Sequence, residues 1–569
     1  MDGLDCIPHV LREYALVADG ERGALIDPQG CVAWMCAPRW HDDAVFGTLV
    51  GGSGHYQVVP ADAWHVWGGY YEPGTLIWHS RWTTRDTVVE CREALALPAD
   101  PHRAVLLRRV LASDDPVELL VRCEPAADCG RAEVREIERH GDVRTMRSGP
   151  LWIRWSGAVD GRVRVEAGRY HDFVLEVSDR PFDGPPPDPR LCWQETEQGW
   201  RARVPDCVDM LVPHDSRHAY SVLSGLTSAA GGMVAAATTS LPERAKVGGD
   251  YDYRYAWVRD QCYVGEAVAA HQPHHLMDNA VRFVAERLIE HGPDLRPAYT
   301  ITGGQIPDQR ELDLPGYPGG TDRVGNRVRH QFQLDAFGEA LLLFGAAAEH
   351  DHLTADAERA IGIAIDAIEQ QWRKTEAGVW ELDDRSWTHS NLTCVAGLRR
   401  TAKFMMTNRC TTLADGILAE TSRTSLHPRG HWQRSVDDDG VDAALLLPAL
   451  RGALPADDPR SIATVRAVRE DLGRDGYVYR FRHDDRDLGA AEGAFLVCGF
   501  WLALAEHQQG DAVTAARRFE RNRASCGPPA LFTEEYDVRQ RQLRGNIPQA
   551  FVHGMLLECS ARLARDWRD

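Results

Sequence analysis

The pattern of this chain changes at the stretch Asp250-Tyr251-Asp252-Tyr253-Arg254-Tyr255-Ala256-Trp257-Val258-Arg259-Asp260. After it, apolar residues recur with the 3.6-residue spacing of amphipathic helices. The segments with this spacing are 259–271, 276–291, 330–350, 354–373, 390–406, 411–420, 439–452, 459–472, 490–508, 511–523 and 547–566. Eleven helices of ordinary length are close to the number that a ring of helix pairs needs. The sequence therefore predicts such a ring over residues 250–569.

Before this stretch, the chain has the features of β structure. Short apolar runs recur, and Asp-Gly, Asp-Pro or Gly-rich turns separate them at intervals of roughly 8–12 residues. Residues 162–166 alternate with period two, as expected of a half-buried strand. We therefore predict an antiparallel β-sandwich over residues 1–212, with the Pro-rich segment 181–189 as a loop between strands. Residues 213–249 are rich in Ala and Ser and predict a helical linker.

Composition limits the class of function. With 44% hydrophobic and 26% charged residues and a mean hydropathy of −0.37, the chain is typical of a soluble globular protein. Its net charge of −20 argues against binding to nucleic acid or to an anionic membrane, and suits a neutral substrate. No secretory signal or long apolar run is visible, so we expect a cytoplasmic protein. The 14 cysteines include no C-x-x-C pair, which predicts reduced, buried thiols and no metal site.

Two segments combine aromatic or flexible residues with directed polar groups. Within residues 250–260, tyrosines and Trp257 can form an apolar wall, while Arg259 donates and Asp260 accepts hydrogen bonds with sugar hydroxyls. The same residues could instead form a structural Arg259–Asp260 ion pair, with the aromatic residues filling the core. The residues alone leave both interpretations open. The second segment, 316–326, is rich in glycine and carries Arg323 before a predicted helix.

Two separate carboxylates complete the candidate chemistry. Glu381 follows Trp380, and a desolvated carboxyl beside a tryptophan can stay protonated and act as a general acid. Glu534 offers a second carboxylate far downstream. Most glycosidases cleave the glycosidic bond with a pair of carboxyl groups, which distant elements can bring together. Asp383, Asp384 and Glu535 compete for the same roles.

These motifs, taken in order, resemble glycoside hydrolase family 15, which contains inverting glucoamylases, glucodextranases and bacterial trehalases. Tyr251 to Asp260 is similar to the family's Y-D-Y-R-Y-x-W-x-R-D signature. The segments 378–381, 492–496, 533–537 and 545–551 are similar to later family segments. The resemblance covers essentially the whole chain.

The resemblance implies an N-terminal antiparallel β-supersandwich followed by a C-terminal (α/α)6 barrel. It implies that Glu381 is the general acid and Glu534 the general base, and that no metal or cofactor is needed. The expected substrate-binding residues are Tyr253, Trp257, Arg259, Asp260, Arg323, Trp380 and Glu492. The expected partner is a small carbohydrate, and the oligomeric state stays open, with a homo-oligomer compatible with the sequence.

Several functions are compatible with this resemblance. The main expectation is an inverting, exo-acting α-glucoside hydrolase that releases glucose from the non-reducing ends of short α-glucans, like a glucoamylase. The alternatives are a trehalase, a non-catalytic carbohydrate-binding protein on the same fold, and a phosphorolytic enzyme. Asn391 and Val395 replace a lysine and a tryptophan that are usual in the bacterial members, which suggests an altered leaving-group side if they line it.

Overall fold

The N-terminal part is built from antiparallel strands. The structure, a computed structural model, describes residues 7–158, 161–243, 250–405, 408–483 and 486–567. Its first strands are β1 (Ala15–Ala18), β2 (Gly23–Ile26), β3 (Val32–Cys36), β4 (Ala44–Phe46), β5 (His55–Pro60), β6 (Val66–Tyr71), β7 (Trp78–Thr83), β8 (Val88–Leu95), β9 (Arg103–Ala112), β10 (Val117–Glu124), β11 (Val134–His140), β12 (Val143–Ser148), β13 (Leu151–Ser156), β14 (Gly161–Val165) and β15 (Tyr170–Ser178).

These strands form three sheets that share one core. An eight-stranded sheet has the order β11-β12-β13-β15-β9-β8-β7-β6, and sheets of four and three strands accompany it. Along β10, Val117, Leu119 and Val121 are buried and alternate with more exposed residues, so one face points into the core. The antiparallel β-supersandwich is confirmed.

The chain leaves the β region earlier than we predicted. The segment 181–189 does not join two strands; it leads from β15 into a helix, α1 (Pro189–Arg203). Asp188 caps this helix by accepting a hydrogen bond from the Arg190 N–H, and Pro189 occupies its first turn. Proline marked this segment correctly as a break, but it did not reveal that a helix begins there.

Twelve helices and several two- or three-residue strands complete the described chain. The helices are α2 (Pro213–Leu226), α3 (Val258–Ala269), α4 (His275–His291), α5 (Asp335–Glu349), α6 (Ala355–Gln371), α7 (Thr388–Met405), α8 (Asn408–Thr424), α9 (Leu447–Leu450), α10 (Pro459–Asp471), α11 (Leu496–Gln508), α12 (Ala512–Arg523) and α13 (Ala550–Leu563). The strands are β16 (Ala256–Trp257), β17 (Ala298–Tyr299), β18 (Arg310–Glu311), β19 (Arg323–Val324), β20 (Gly473–Arg474), β21 (Tyr477–Val478), β22 (Ala494–Phe495), β23 (Glu535–Asp537) and β24 (Gln542–Arg544).

The helices form a closed double ring. The odd-numbered helices α3 to α13 each contact the next in order, and α13 contacts α3, so six inner helices close a circle. The even-numbered helices pack outside them. The inner helices α3, α5 and α11 are buried almost all round; α5 and α11 are correspondingly apolar on nearly every face, whereas α3 also buries Arg259 and Asp260. This arrangement is the (α/α)6 barrel.

Helix α2 lies in the segment 213–249, which we predicted to be a helical linker. It packs against α13 in the outer ring, so it is part of the barrel and not a connection. Its ten buried residues include three serines and a histidine, and this polar content obscured its core role in the sequence. We place the start of the barrel at residue 213; the domain limits remain a proposal.

The β part packs against the segments at the mouth of the barrel. The Trp34 indole donates a hydrogen bond to the Ala237 carbonyl at 2.9 Å. Arg254 is buried; it donates to the Asp42 carbonyl at 2.8 Å and forms an ion pair with Asp252 at 2.7 Å. Part of the stretch 250–260 is therefore structural and joins the two regions of the protein.

Most cysteines follow the prediction. Among the residues that the structure describes, twelve cysteines are free, and ten of these are buried. Cys31 departs from it, because it is disulfide-bonded; spacing along the chain does not show which thiols meet in space. None of the helices in the described ranges has the length and apolar character needed to cross a membrane.

Candidate active site

A cavity of about 380 Å³ lies at the mouth of the barrel. Segments between helices supply most of its lining, as expected where a rigid scaffold supports functional loops, and α3, α11 and α13 supply the rest. Its charged lining residues are the carboxylates Glu243, Asp260, Glu381 and Glu534 and the guanidinium groups of Arg259, Arg323, Arg327 and Arg480. Its aromatic lining residues are Tyr251, Tyr253, Trp257, Tyr263, Trp380, Phe495, Trp501 and Phe551.

Glu381 lies on a tight loop between α6 and α7. Gly378 begins this turn with φ of +71°, and a Cβ atom there would lie 2.8 Å from the Trp387 ring, so only glycine fits. The buried Glu376 carboxylate accepts hydrogen bonds from the Gly378 N–H at 2.7 Å and the Leu334 N–H at 3.3 Å. Glu381 itself has φ of +56°, a left-handed conformation that costs energy for a non-glycine residue and is often found at functional sites.

One oxygen of Glu381 is held by two donors. Trp257 Nε1 donates to Oε1 at 2.7 Å, and Arg259 Nη2 donates to the same oxygen at 3.2 Å. The side chain is 27% exposed and faces the cavity. Both donors use Oε1, so neither of them occupies the other oxygen, Oε2.

Arg259 and Asp260 stand side by side at the start of α3 but do different things. Arg259 is fixed by Gln333 Oε1 at 2.7 Å and by Asp335 at 3.6 Å, in addition to Glu381. Asp260 Oδ1 is buried and makes no hydrogen bond with the described part of the protein. Burial, partly offset by Arg259, raises the pKa of Asp260 to about 7. An unsatisfied buried oxygen on a cavity wall is suited to a ligand hydroxyl.

Glu534 is more deeply buried than Glu381. It precedes β23, which pairs with β22 and β24 at the barrel mouth, and its carbonyl accepts a hydrogen bond from the Leu496 N–H at 3.0 Å. The residue is only 7% exposed. Burial raises the pKa of Glu534 to about 7, while Arg480 and the Tyr253 hydroxyl, 3.0 Å from Oε2, act in the opposite direction.

The cavity contains all but one of the residues that we predicted for the site. Tyr253, Trp257, Arg259, Asp260, Arg323, Trp380, Glu381 and Glu534 all line it. Trp380 is oriented by a hydrogen bond from Nε1 to Asp442 at 2.9 Å and packs edge-on against Phe495.

Glu492 is the exception. It lines a separate cavity and lies behind Arg480, which donates to its carboxylate through Nε at 3.1 Å. His483 Nε2 lies 2.9 Å from the same carboxylate. These contacts are all with Oε2, whereas Oε1 is buried without a hydrogen-bond partner in the described part of the protein. Glu492 does not line the cavity, and its contact with the sugar stays a prediction.

Asn391 and Val395 also lie away from the cavity. Both are buried within α7, and neither is among the residues that line it. Their departure from the usual family residues therefore does not alter the walls of this cavity.

Arg480 and Glu243 are site residues that we did not predict. Arg480 follows an alternation of aromatic residues at 477 and 479, similar in character to the stretch 250–260, and this pattern was an unused signal. Glu243 is separated from the other site residues in the sequence and carries no such local signal. Their position becomes visible only when the barrel is closed.

Comparison with known proteins identifies the family of this chain. The model of the glycosyl hydrolases family 15 matches residues 218–561, which is more than half of the chain. The chain belongs to glycosyl hydrolases family 15. A second model, the trehalase-like N-terminal domain, matches residues 7–168 of this family 15 glycosidase.

Relatives and solved structures extend over nearly all of the glycosidase. A trehalase from Mycobacterium tuberculosis is 30% identical over 98% of this chain and 90% of its own length. A trehalase from Mycolicibacterium smegmatis is 28% identical over 98% and 91%. A bacterial glucoamylase solved in complex with acarbose has a TM-score of 0.71, covers 99% of this chain and 94% of its own, and is 11% identical, so it shows the shared fold.

Proposed function

We propose that this family 15 glycosidase is a trehalase, which hydrolyses the bond between two glucose units with inversion. The full-length similarity to curated relatives named trehalase carries this proposal. It replaces our first expectation of a glucoamylase-like enzyme acting on short α-glucans. The cavity of about 380 Å³ supports a small ligand, since ligand pockets span roughly 300–1,000 Å³.

Glu381 is the general acid in this proposal. Its Oε1 accepts from Trp257 and Arg259, so the proton is carried on Oε2 and passes to the oxygen between the two sugars as the bond breaks. The departing glucose then leaves as a neutral alcohol and not as an alkoxide. General acid catalysis of this kind contributes about 10²–10⁴-fold to a rate.

Glu534 is the general base. Its Oε2 lies 3.0 Å from the Tyr253 hydroxyl, so Oε1 is available to take a proton from a water molecule. That water attacks the anomeric carbon on the face opposite to Glu381, and the attacked sugar is released as β-glucose. We expect the two carboxylates to stand roughly 6.5–9.5 Å apart, as in inverting glycosidases.

The remaining lining residues hold the sugar. Asp260 Oδ1 is an unsatisfied acceptor for a sugar hydroxyl, and Arg259 and Arg323 supply donors from the same cavity. The Trp380 ring, held by Asp442, offers an apolar face for the pyranose. A hydroxyl-rich ligand needs acceptors and donors in this mixture, because each buried polar group must find a partner.

Glucose release from trehalose, maltose, isomaltose and maltotetraose tests the proposal. We expect turnover of trehalose and little of the others. Turnover of maltose and maltotetraose without trehalose would restore the glucoamylase-like interpretation, and binding without any turnover would favour a carbohydrate-binding protein. Asp384→Asn is a matched control for Glu381→Gln, because Asp384 is a nearby exposed carboxylate; it should keep the wild-type rate.

A further inference from the structure

A third carboxyl group stands next to the base. The Tyr253 hydroxyl lies 3.0 Å from Glu534 Oε2 and 3.3 Å from Glu243 Oε1, so one hydroxyl bridges two carboxyl groups. Neither the family resemblance nor the proposed mechanism gives Glu243 a role.

The backbone holds Glu243 at this position. The Gly545 N–H donates to the Pro242 carbonyl at 2.9 Å, which fixes the chain beside the base. Gly545 has φ of +84°, and a Cβ atom built there would lie 3.5 Å from Glu243 Cγ and 3.8 Å from Glu534 Cβ. One glycine therefore separates the two side chains.

The number of protons determines what this bridge can do. A phenolic hydroxyl carries one proton, so Tyr253 can donate to only one of the two carboxyl groups at a time. The other contact is a hydrogen bond only if that carboxyl group is protonated and donates to the phenolic oxygen. Burial and Glu534 hold the pKa of Tyr253 well above its ordinary value, so the tyrosine keeps its proton.

The surrounding charges indicate which carboxyl group carries the second proton. Burial, Glu534, Glu535 and Glu492 raise the pKa of Glu243 well above its ordinary value, and Arg480 opposes them. The pKa of Glu534 is raised only to about 7, with Arg480 and Tyr253 opposing its burial and with Asp260 and Glu381 raising it. The proton therefore belongs on Glu243, which donates to Tyr253, while Tyr253 donates to Glu534.

We propose that Glu243 is a positioning residue for the general base, donating a hydrogen bond to the Tyr253 oxygen so that the Tyr253 hydroxyl points at Glu534 Oε2. This inference rests on the proposed function. The arrangement stabilises the ionised form of Glu534 and leaves Oε1 as the only oxygen that takes the proton from water. Polarisation along a chain of hydrogen bonds strengthens each of them.

Glu243 also reaches a second cavity. It lines a space of about 210 Å³ together with Tyr479, Glu492, Asp537 and Arg544. A carboxyl group that borders two cavities can regain a lost proton without passing it through the substrate. This position suits a group that must be protonated at every turnover.

The test is the pH dependence of kcat/KM in Glu243→Leu, Glu243→Gln, Tyr253→Phe and the double variant Glu243→Leu/Tyr253→Phe. We expect Glu243→Leu to move the ascending limb to higher pH by about 0.5 unit. At pH values below the limb, this shift lowers kcat/KM about threefold. Glu243→Gln, whose amide still donates, should keep the wild-type limb. In the Tyr253→Phe background, Glu243→Leu should add no further shift.

Three results would overturn the inference: a limb that does not move in Glu243→Leu, a limb that moves to lower pH, or the same shift in the absence of the tyrosine hydroxyl. A downward shift would mean that Glu243 is ionised and repels Glu534. If Glu243→Leu does not fold, the position of the ascending limb is measured in Glu243→Ala, which also lacks the donor. Glu534→Gln separates the two proposals: if it stays active, the base assignment fails, whereas an inactive Glu534→Gln with an unmoved Glu243→Leu limb overturns only the inference.

Discussion

The two sides of the cavity present the same chemical group in opposite settings. Glu381 stands on a strained loop, 27% of its side chain is exposed, and an indole and a guanidinium donate to one of its oxygens. Glu534 stands beside a small sheet, is 7% exposed, and has other carboxyl groups and a tyrosine as neighbours. The two glutamates therefore differ in donor geometry and burial and not in residue type, and the roles of acid and base that we give them are a proposal.

The largest expected effect is on the base side. Glu534→Gln removes the group that takes a proton from water, so kcat should fall about 10³–10⁴-fold on every substrate, near the upper end for general base catalysis. Steady-state rates on trehalose and on α-glucosyl fluoride measure this, with circular dichroism to check the fold. A variant that keeps a tenth of the wild-type rate on either substrate would remove Glu534 from this role.

The acid side should respond differently to the same change. Glu381→Gln should lower the rate on trehalose about 10²–10⁴-fold, because the leaving sugar needs a proton. Fluoride leaves without one, so α-glucosyl fluoride should be hydrolysed at close to the wild-type rate. Equal losses on both substrates would contradict the division of roles.

The next largest effect concerns the pH dependence of kcat/KM, whose ascending limb reports the ionisation of Glu534. The base must be ionised, so kcat/KM should rise with pH through the pKa of Glu534, near 7. The Arg480 guanidinium lowers that pKa against the effect of burial; Arg480→Gln should therefore move the ascending limb to higher pH by about one unit. The descending limb should stay where it is, and an ascending limb that shifts downward or stays in place would count against this electrostatic account.

The smallest expected effect concerns the loop that carries the acid. Gly378→Ala introduces a Cβ atom against Trp387 at a positive φ, so we expect a loss of about 1–3 kcal/mol in the free energy of unfolding. Gly362→Ala in α6 is the matched control, since nothing lies within 4 Å of its Cβ position, and it should stabilise by about 0.5–1 kcal/mol. Urea unfolding measures both, and two changes of the same sign would refute the strained-loop description.

The sequence predicted the barrel well because helical periodicity is a local signal. The segment predicted at 459–472, for example, is helix Pro459–Asp471. The segment predicted at 490–508 shows where this reasoning ends, since its helix begins only at Leu496. Ala494 and Phe495 instead pair with Tyr536 and Glu535, and such long-range pairing leaves no trace in local spacing.

The site was predictable wherever its residues share a motif. Tyr253, Trp257, Arg259 and Asp260 lie within one stretch, and the cavity contains all four. The structure also resolves the ambiguity of that stretch, because Asp252 and Arg254 form the buried structural pair while Arg259 faces the cavity. Arg480 follows aromatic residues at 477 and 479, a local signal that we did not use. Glu243 could not be found in this way, since its proximity to Glu534 depends on segments that are distant in the chain.

The anomers released from trehalose test the central claim most directly. Proton NMR recorded in the first minutes, before the sugars interconvert, distinguishes α-glucose from β-glucose. Attack of water opposite Glu381 inverts one ring and leaves the other unchanged, so the account predicts equal amounts of the two anomers. Release of α-glucose alone would show retention at the attacked carbon, and it would contradict the assignment of Glu534 as a general base that activates water.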